Sequence, residues 1–231
     1  MWPVHAVIPR SQNPGCRARR LRRVLDGLHA AVQHRATDSH WIVRSRFEDR
    51  EILPAKWGLV NFWMTDRKQA FKNINARAET IQTARGFREA FNERRCVIPA
   101  DGFFEWTGQK DARQPIWFHR PDGGLTYFAG LHESWRPAPR EKERTFTIIT
   151  TTPNPLIEPI HNSMPVILED EAIDHWQYAR SPEWSLMDLL RPAREDLLIG
   201  TRVSTRVNSV KNDDSDCLLS PVEQPTYMTL T

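Results

Sequence analysis

Glu105 is the residue with the clearest chemical prospects in this chain. It stands in Gly102-Phe103-Phe104-Glu105-Trp106, where period-2 alternation puts Phe103 and Glu105 on one strand face and Phe104 and Trp106 on the other. A carboxylate among bulky aromatics is costly to keep charged. Partial burial raises its pKa toward neutrality, as suits a general acid or base, whereas a solvent-facing or arginine-paired strand glutamate is the bland alternative. Asn75, Arg77 and Glu79 bring an amide, a cation and a carboxylate to one face if their stretch is extended, or otherwise form a polar loop rim. His161, between Ile160 and the polar pair Asn162 and Ser163, fits a hydrogen-bonded structural histidine better than a catalyst when taken alone. Trp57, Phe62 and Trp63 crowd one short region with Asp66, Arg67 and Lys68 just beyond. They read either as core packing or as a platform on which nucleic-acid bases stack, worth about 1–3 kcal/mol per base.

The elements that must position these groups are mostly short strands. Arg94 to Trp106 reads as two strands folded about a polar corner at Ala100, Asp101 and Gly102. Residues 41–47 alternate like a strand, a polar turn follows at 48–51, and 53–60 is extended again. Residues 115–119 and 125–131 read as a hairpin joined by Pro-Asp-Gly-Gly, and 145–152 is a β-branched strand. Short helices are expected at 86–93, 169–178 and 181–191, the last with Ser181 as N-cap, Pro182 at the first helical position, and Leu186, Leu189 and Leu190 buried. Residues 203–210 return to strand-like alternation. Many short strands with a few helices imply an α+β domain with a curved, mainly antiparallel sheet.

A chain of 231 residues, 39% hydrophobic and 26% charged, can bury one good core. No apolar run reaches the length of a membrane span and no secretory leader is legible, so a cytoplasmic protein is expected. Cys16, Cys96 and Cys217 lack metal-ligand spacing, so neither a metal nor a disulfide framework is called for, and nothing asks for a cofactor. The net charge of +3 is uneven. Residues 2–35 carry seven arginines, no lysine and Asp26 as the one acid, whereas lysine first appears at Lys56. A basic arm for nucleic acid is one explanation.

Five motifs together carry a resemblance. They are Trp-Gly-Leu-Val at 57–60, Asn-Ala-Arg-Ala-Glu-Thr at 75–80, the stretch 94–106, Ala-Gly-Leu-His-Glu-Ser-Trp at 129–135 and Ile-His-Asn-Ser-Met-Pro-Val-Ile-Leu at 160–168. In order and spacing they resemble the SRAP family of SOS-response-associated peptidases, or abasic-site processing proteins, over about residues 36–225. The resemblance implies a barrel-like fold with peripheral helices, acting as a monomer on abasic sites in single-stranded DNA, with nucleoid association on damage. In that family the initiator methionine is removed to expose a cysteine whose α-amine forms a Schiff base with the ring-opened sugar. Its thiol then closes a thiazolidine. By motif position Glu105 is the general acid and base, His161 assists proton transfer and Asn75 orients the sugar or the amine. Arg77 and Arg85 hold phosphates, while Trp57 or Trp63 lines the single strand. A protein-directed peptidase is the weaker alternative, since no His-Glu-x-x-His helix and no serine with a matched base are present.

Two departures matter. Asn162 and Ser163 stand where the family has Asp-Arg, which removes one expected phosphate-binding cation. Position 2 is Trp2, which offers no thiol, and the family's early Arg-Tyr-Asn-x-Ala-Pro segment is missing. Cys16 is internal, lacks a free α-amine and cannot close the same ring. The organisation is therefore an anomalous basic segment at 1–35, an SRAP domain at 36–225 and a tail at 226–231. An out-of-frame reading accounts for the first: a Met-Cys-Gly-Arg opening written ATG TGT GGC CGG TCC ACG CC, on losing two bases, becomes the codons of Met-Trp-Pro-Val-His-Ala. Likewise, codons for Ala31 to Ala36 shifted by one base read Arg-Tyr-Asn-Ile-Ala and most of a proline. A divergent basic arm is the alternative, expected to leave a module that grips single-stranded DNA without crosslinking. Sequencing the gene's opening codons separates the two: codons incompatible with those above exclude the shift.

Overall fold

The computed structural model of the chain describes residues 6–8, 38–46, 49–109, 112–138, 140–178, 181–212 and 214–221. Trp2, Cys16 and nearly all of the arginine-rich segment therefore lie outside the described residues, as does the tail at 226–231. Among the described residues eleven strands are present: β1 (Ala6–Ile8), β2 (Ser39–Arg46), β3 (Asp49–Trp57), β4 (Asn75–Arg77), β5 (Arg95–Ala100), β6 (Gly102–Thr107), β7 (Gln114–His119), β8 (Thr126–Trp135), β9 (Glu143–Thr151), β10 (Met164–Pro165) and β11 (Ile199–Arg202). Helices α1 (Arg88–Glu93), α2 (Asp170–Gln177) and α3 (Glu183–Met187) sit among them. The large sheet runs β1-β3-β2-β5-β8-β9-β10, and a parallel pairing of β3 with β9 closes β3-β2-β5-β8-β9 into a barrel. A second sheet, β11-β7-β6, stands beside it. This is the expected α+β architecture with a curved, mainly antiparallel sheet.

Alternation divides the barrel strands cleanly. Ile42, Leu53, Cys96, Ile98, Phe128 and Phe146 pack into one cluster in the barrel interior. Val43, Ile52, Val97, Ala129, Leu131 and Ile149, the intervening residues, pack outward under α1 and α2 with Phe91, Ile173 and Trp176. One buried arginine ties that outer layer together. The Arg95 guanidinium donates at 2.7 Å to the carbonyls of Trp176, Phe91, Asn92 and Tyr178, joining β5 to the ends of α1 and α2. It thereby satisfies carbonyls left over at two helix C-termini.

The expected hairpin of 115–119 and 125–131 is not formed. β7 pairs with β6 and β11, whereas β8 pairs with β5 and β9, so the turn hands the chain from one sheet to the other. A local turn signal fixes the reversal but not the partner. Strand β3 begins at Asp49, inside the expected turn at 48–51, because its register with β2 runs out to Arg46 opposite Asp49. In 203–210 a 3-10 turn over Thr205–Asn208 replaces the expected strand, with the Ser204 side chain accepting from Arg206 N. Helix α3 is shorter than 181–191, and Ser181 does not cap it; its hydroxyl instead donates to the carbonyl of His175 at 2.7 Å, closing α2.

Arg95→Ala is expected to destabilise the fold by about 3–5 kcal/mol, since it strands buried carbonyls that had a charged donor. Urea unfolding of the two proteins measures this; an unchanged midpoint would show that water replaces the guanidinium at no cost.

Candidate functional site

Strand β9 organises the site. Near its C-terminal end, β4 pairs along one edge, with Asn75 opposite Ile148 and Arg77 opposite Thr150, while β10 pairs along the other, with Pro165 also opposite Thr150. Asn75 and Arg77 are thus brought to the same end of the barrel as the loop that carries His161. Glu105 arrives from the second sheet. After β5 a single residue, Asp101, separates the barrel from β6, and a Cβ on Gly102 would run into the Phe118 carbonyl oxygen, so only glycine lets β6 approach β7 so closely. Phe103 turns inward, stacking on Phe118 with ring centroids 5.4 Å apart and meeting Phe128 edge-on at 6.0 Å. Glu105 shares that inner face. Phe104 and Trp106 lie on the opposite face, with Phe104 against Val203, Val207 and Cys217.

The result is an acid and an imidazole in contact across two sheets: the Glu105 carboxylate stands 3.5 Å from His161 Nδ1. The Glu105 side chain is 19% exposed and that of His161 43%, so the pair sits at a boundary between core and solvent. Burial pushes the Glu105 pKa above the usual carboxylate range, while the neighbouring His161 pulls it partly back. Such a carboxylate holds its proton at higher pH than a solvated one. That direction suits a group that donates a proton as well as accepting one.

Ser163 was legible in the sequence only as a departure from the family pattern, yet it frames this imidazole. Its carbonyl lies 3.0 Å from His161 Nδ1, and its N–H and hydroxyl each lie 3.3 Å from the same atom. The carbonyl accepts when Nδ1 carries the proton and the N–H donates when it does not, so either tautomer keeps Nδ1 on the side where Glu105 stands. No rule of spacing singles out a residue that acts through its backbone.

The remaining candidates are distributed around this end and beyond it. Asn75 is exposed, with no side-chain hydrogen bond among the described residues. Arg77 is exposed on the same short strand. The chain enters a 3-10 turn at Ala78–Thr80, so Glu79 leaves the face that Asn75 and Arg77 share. Arg85 places its guanidinium 5.0 Å from the ring centre of Trp63, and Trp63 and Phe62 are 43% and 55% exposed. Trp57 is half-buried; its indole N–H donates to the Ile74 carbonyl at 2.8 Å and its ring lies parallel to Phe146. Of the two tryptophans, Trp63 offers the open ring face. Arg67 is held by Glu143 of β9 at 2.7 Å and Asp66 accepts from Lys68 N, which commits the first charge to the barrel and the second to the local turn. Cys96 and Cys217 are buried free thiols, and burial drives the Cys96 pKa far upward, leaving it inert as a nucleophile. Among the described residues no group of three or more His, Cys, Asp or Glu side chains could hold a metal ion.

Comparison with known proteins follows the same line as the geometry. The abasic site processing protein YoqW of Bacillus subtilis is 40% identical over 168 residues, covering 71% of this chain and 75% of that protein. The abasic site processing protein HMCES of Gallus gallus is 33% identical over 201 residues, covering 76% of this chain and 59% of that one. A crystal structure of a protein from Bacteroides thetaiotaomicron superposes over 95% of this chain and all of its own with a TM-score of 0.75 at 22% identity, a likeness of fold. The family model described as SOS response associated peptidase (SRAP) matches residues 18–210, a stretch that begins inside the arginine-rich segment. A match of this extent, on a barrel that seats an acid against an imidazole, places the chain in the SRAP family.

Proposed function

We propose that this chain processes abasic sites in single-stranded DNA, with Glu105 and His161 as its proton-transfer pair. The observation that carries the reading is the 3.5 Å approach of a half-buried, proton-retaining carboxylate to the His161 imidazole; the names of the relatives support the substrate. Protonated Glu105 donates to the ring oxygen of the abasic deoxyribose as the C–O bond breaks, and the anomeric hydroxyl gives up its proton to water, leaving the open aldehyde and an ionised Glu105. Ionised Glu105 takes a proton from the attacking group, with His161 sharing that proton. Asn75 orients the sugar. Arg77 and Arg85 bind phosphates, and the exposed Trp63 ring stacks a base while Arg85 lies on or beside it. The protein acts as a monomer, in the cytoplasm, at damaged DNA.

Covalent capture needs a terminal amine and thiol: the amine adds to the aldehyde with loss of water, and the thiol adds across the resulting C=N bond. A polypeptide of the written sequence carries Trp2 at that place. Incubated with an abasic oligonucleotide, it is expected to give no heat-stable crosslinked band, whereas a version opening Met-Cys-Gly-Arg gives one. A band from the Trp2 chain would overturn this assignment. In the cysteine version, Glu105→Gln is expected to slow crosslinking by about 10²–10⁴-fold; an unchanged rate removes Glu105 from the chemistry.

The same substitution has an opposite effect on the fold. A carboxyl whose pKa is raised on folding favours the native state while protonated, and that advantage is lost as pH rises through its ordinary range toward its folded value. Glu105→Gln is therefore expected to be more stable than the parent at pH 7, the difference vanishing below about pH 4. Urea midpoints at both pH values test the sign. For binding, Trp63→Ala is expected to weaken single-stranded DNA affinity by roughly 10-fold. Arg77→Ala lowers the salt slope by about 1. Fluorescence anisotropy across a salt series reads both, and equal affinities would move the strand to another face.

A further inference from the structure

The barrel's other end is built from charge. β9 runs from Glu143 to Thr151, so Arg144 lies about 20 Å along the strand from Thr150, where β4 and β10 meet. Register places Arg144 opposite Ser134, His132 opposite Phe146, and Arg44 opposite both Glu51 and Cys96. Phe146 and Cys96 belong to the interior cluster. Arg44, Glu51, His132 and Arg144 therefore share the inner face and form a polar layer capping that cluster. The layer grades from floor to rim: His132 is 5% exposed, the Arg44 side chain 16% and that of Arg46 58%, with Lys142 and Arg136 exposed beyond.

Its charges do not balance. Glu51 accepts from Arg44 at 2.9 and 2.7 Å and from Arg46 at 3.1 Å, and Asp49 faces Arg46 one pair further out. Arg144 has no carboxylate partner among the described residues. Its Nε, and the Nδ1 of His132, are buried without a hydrogen-bond partner. Leaving such groups unsatisfied is costly, and like charges add to the cost. Burial and the surrounding arginines push Lys142 and Arg144 downward, and they push His132 down to about 3, so that this imidazole is neutral at pH 7. Each of these orphaned nitrogens can serve as a hydrogen-bond donor.

We infer that this end of the barrel is an oxyanion site for a phosphate group, with Arg144 Nε and His132 Nδ1 as inner donors and Arg44, Arg46, Lys142 and Arg136 supplying charge around it. Guanidinium forks match a tetrahedral oxyanion through paired N–H groups. The shared chemistry admits two sources, free inorganic phosphate or the phosphoryl group of a nucleotide. The site is independent of Glu105 and does not rest on the abasic-site reading.

The test is thermal unfolding of the full chain in chloride buffer at fixed ionic strength, with inorganic phosphate or thymidine 5′-monophosphate replacing chloride. Phosphate is expected to raise the melting temperature by about 2–4 °C. Arg144→Gln, which removes a half-buried cation with no carboxylate partner among the described residues, is expected to melt no lower than the parent in chloride and to lose the phosphate response. Lys142→Gln, an exposed change that leaves the core intact, weakens the response several-fold and keeps single-stranded DNA binding unchanged. A response to both ligands assigns the site to nucleotide phosphoryl groups, and a response to inorganic phosphate alone assigns it to the free ion. No response in the parent, or equal responses in parent and both variants, overturns the site.

Discussion

Strand β9 is hydrogen-bonded along both edges, and that double commitment holds the site in place. On one side it carries β3 and then β4; on the other, β8 and then β10. A strand with no free edge cannot slip by one residue without breaking ladders on both flanks and turning Phe146 out of the interior. Asn75 and Arg77 ride on one of those flanks, and His161 leads into the other. Thr145, Thr147, Ile149, Thr150 and Thr151 are buried, as a strand of β-branched residues with partners on both sides should be.

The two ends of the barrel solve the problem of polar groups in opposite ways. At the Glu105 end the core stops at aromatic rings, and the carboxylate sits just above Phe103 with one imidazole for company. At the Arg144 end the core stops at a layer of cations around Glu51. Between them Gly130 makes room: a Cβ there would press on Ile98 and on the backbone oxygen of Thr147. An apolar middle with ionisable ends is what a narrow barrel permits, because only the last layer of inward-facing side chains reaches water.

Much of this was readable in the letters, and the failures have physical causes. Alternation in Gly102 to Trp106 assigned Phe103 and Glu105 to one face because side-chain period is a local property. The corner at Asp101 was equally local. Partners were not: Pro121 to Gly124 signals a reversal whether the next strand returns to the same sheet or joins another, so β7 and β8 were paired wrongly. Ser181 has the composition of a cap, but its hydroxyl found a nearer carbonyl at His175. The triple of Asn75, Arg77 and Glu79 failed at its third member because the 3-10 turn changes the period after Arg77. Ser163 was invisible as a contributor, since two of its three contacts with the imidazole come from main-chain groups, which leave no mark in side-chain chemistry. The closeness of Glu105 and His161 came from motif resemblance, and no spacing along the polymer encodes it.

The one-residue corner at Asp101 makes the second sheet a lever. All of β5 is buried, so its end is a firm fulcrum, and Glu105 rides about 10 Å out along β6. A tilt of about 10° there would carry the carboxylate close to 2 Å, enough to part it from the imidazole. The separation of Glu105 from His161 is therefore set by how stiffly β6, β7 and β11 lean on the barrel, and the edge-on contact of Phe103 with Phe128 of β8 acts as the wedge between the two sheets.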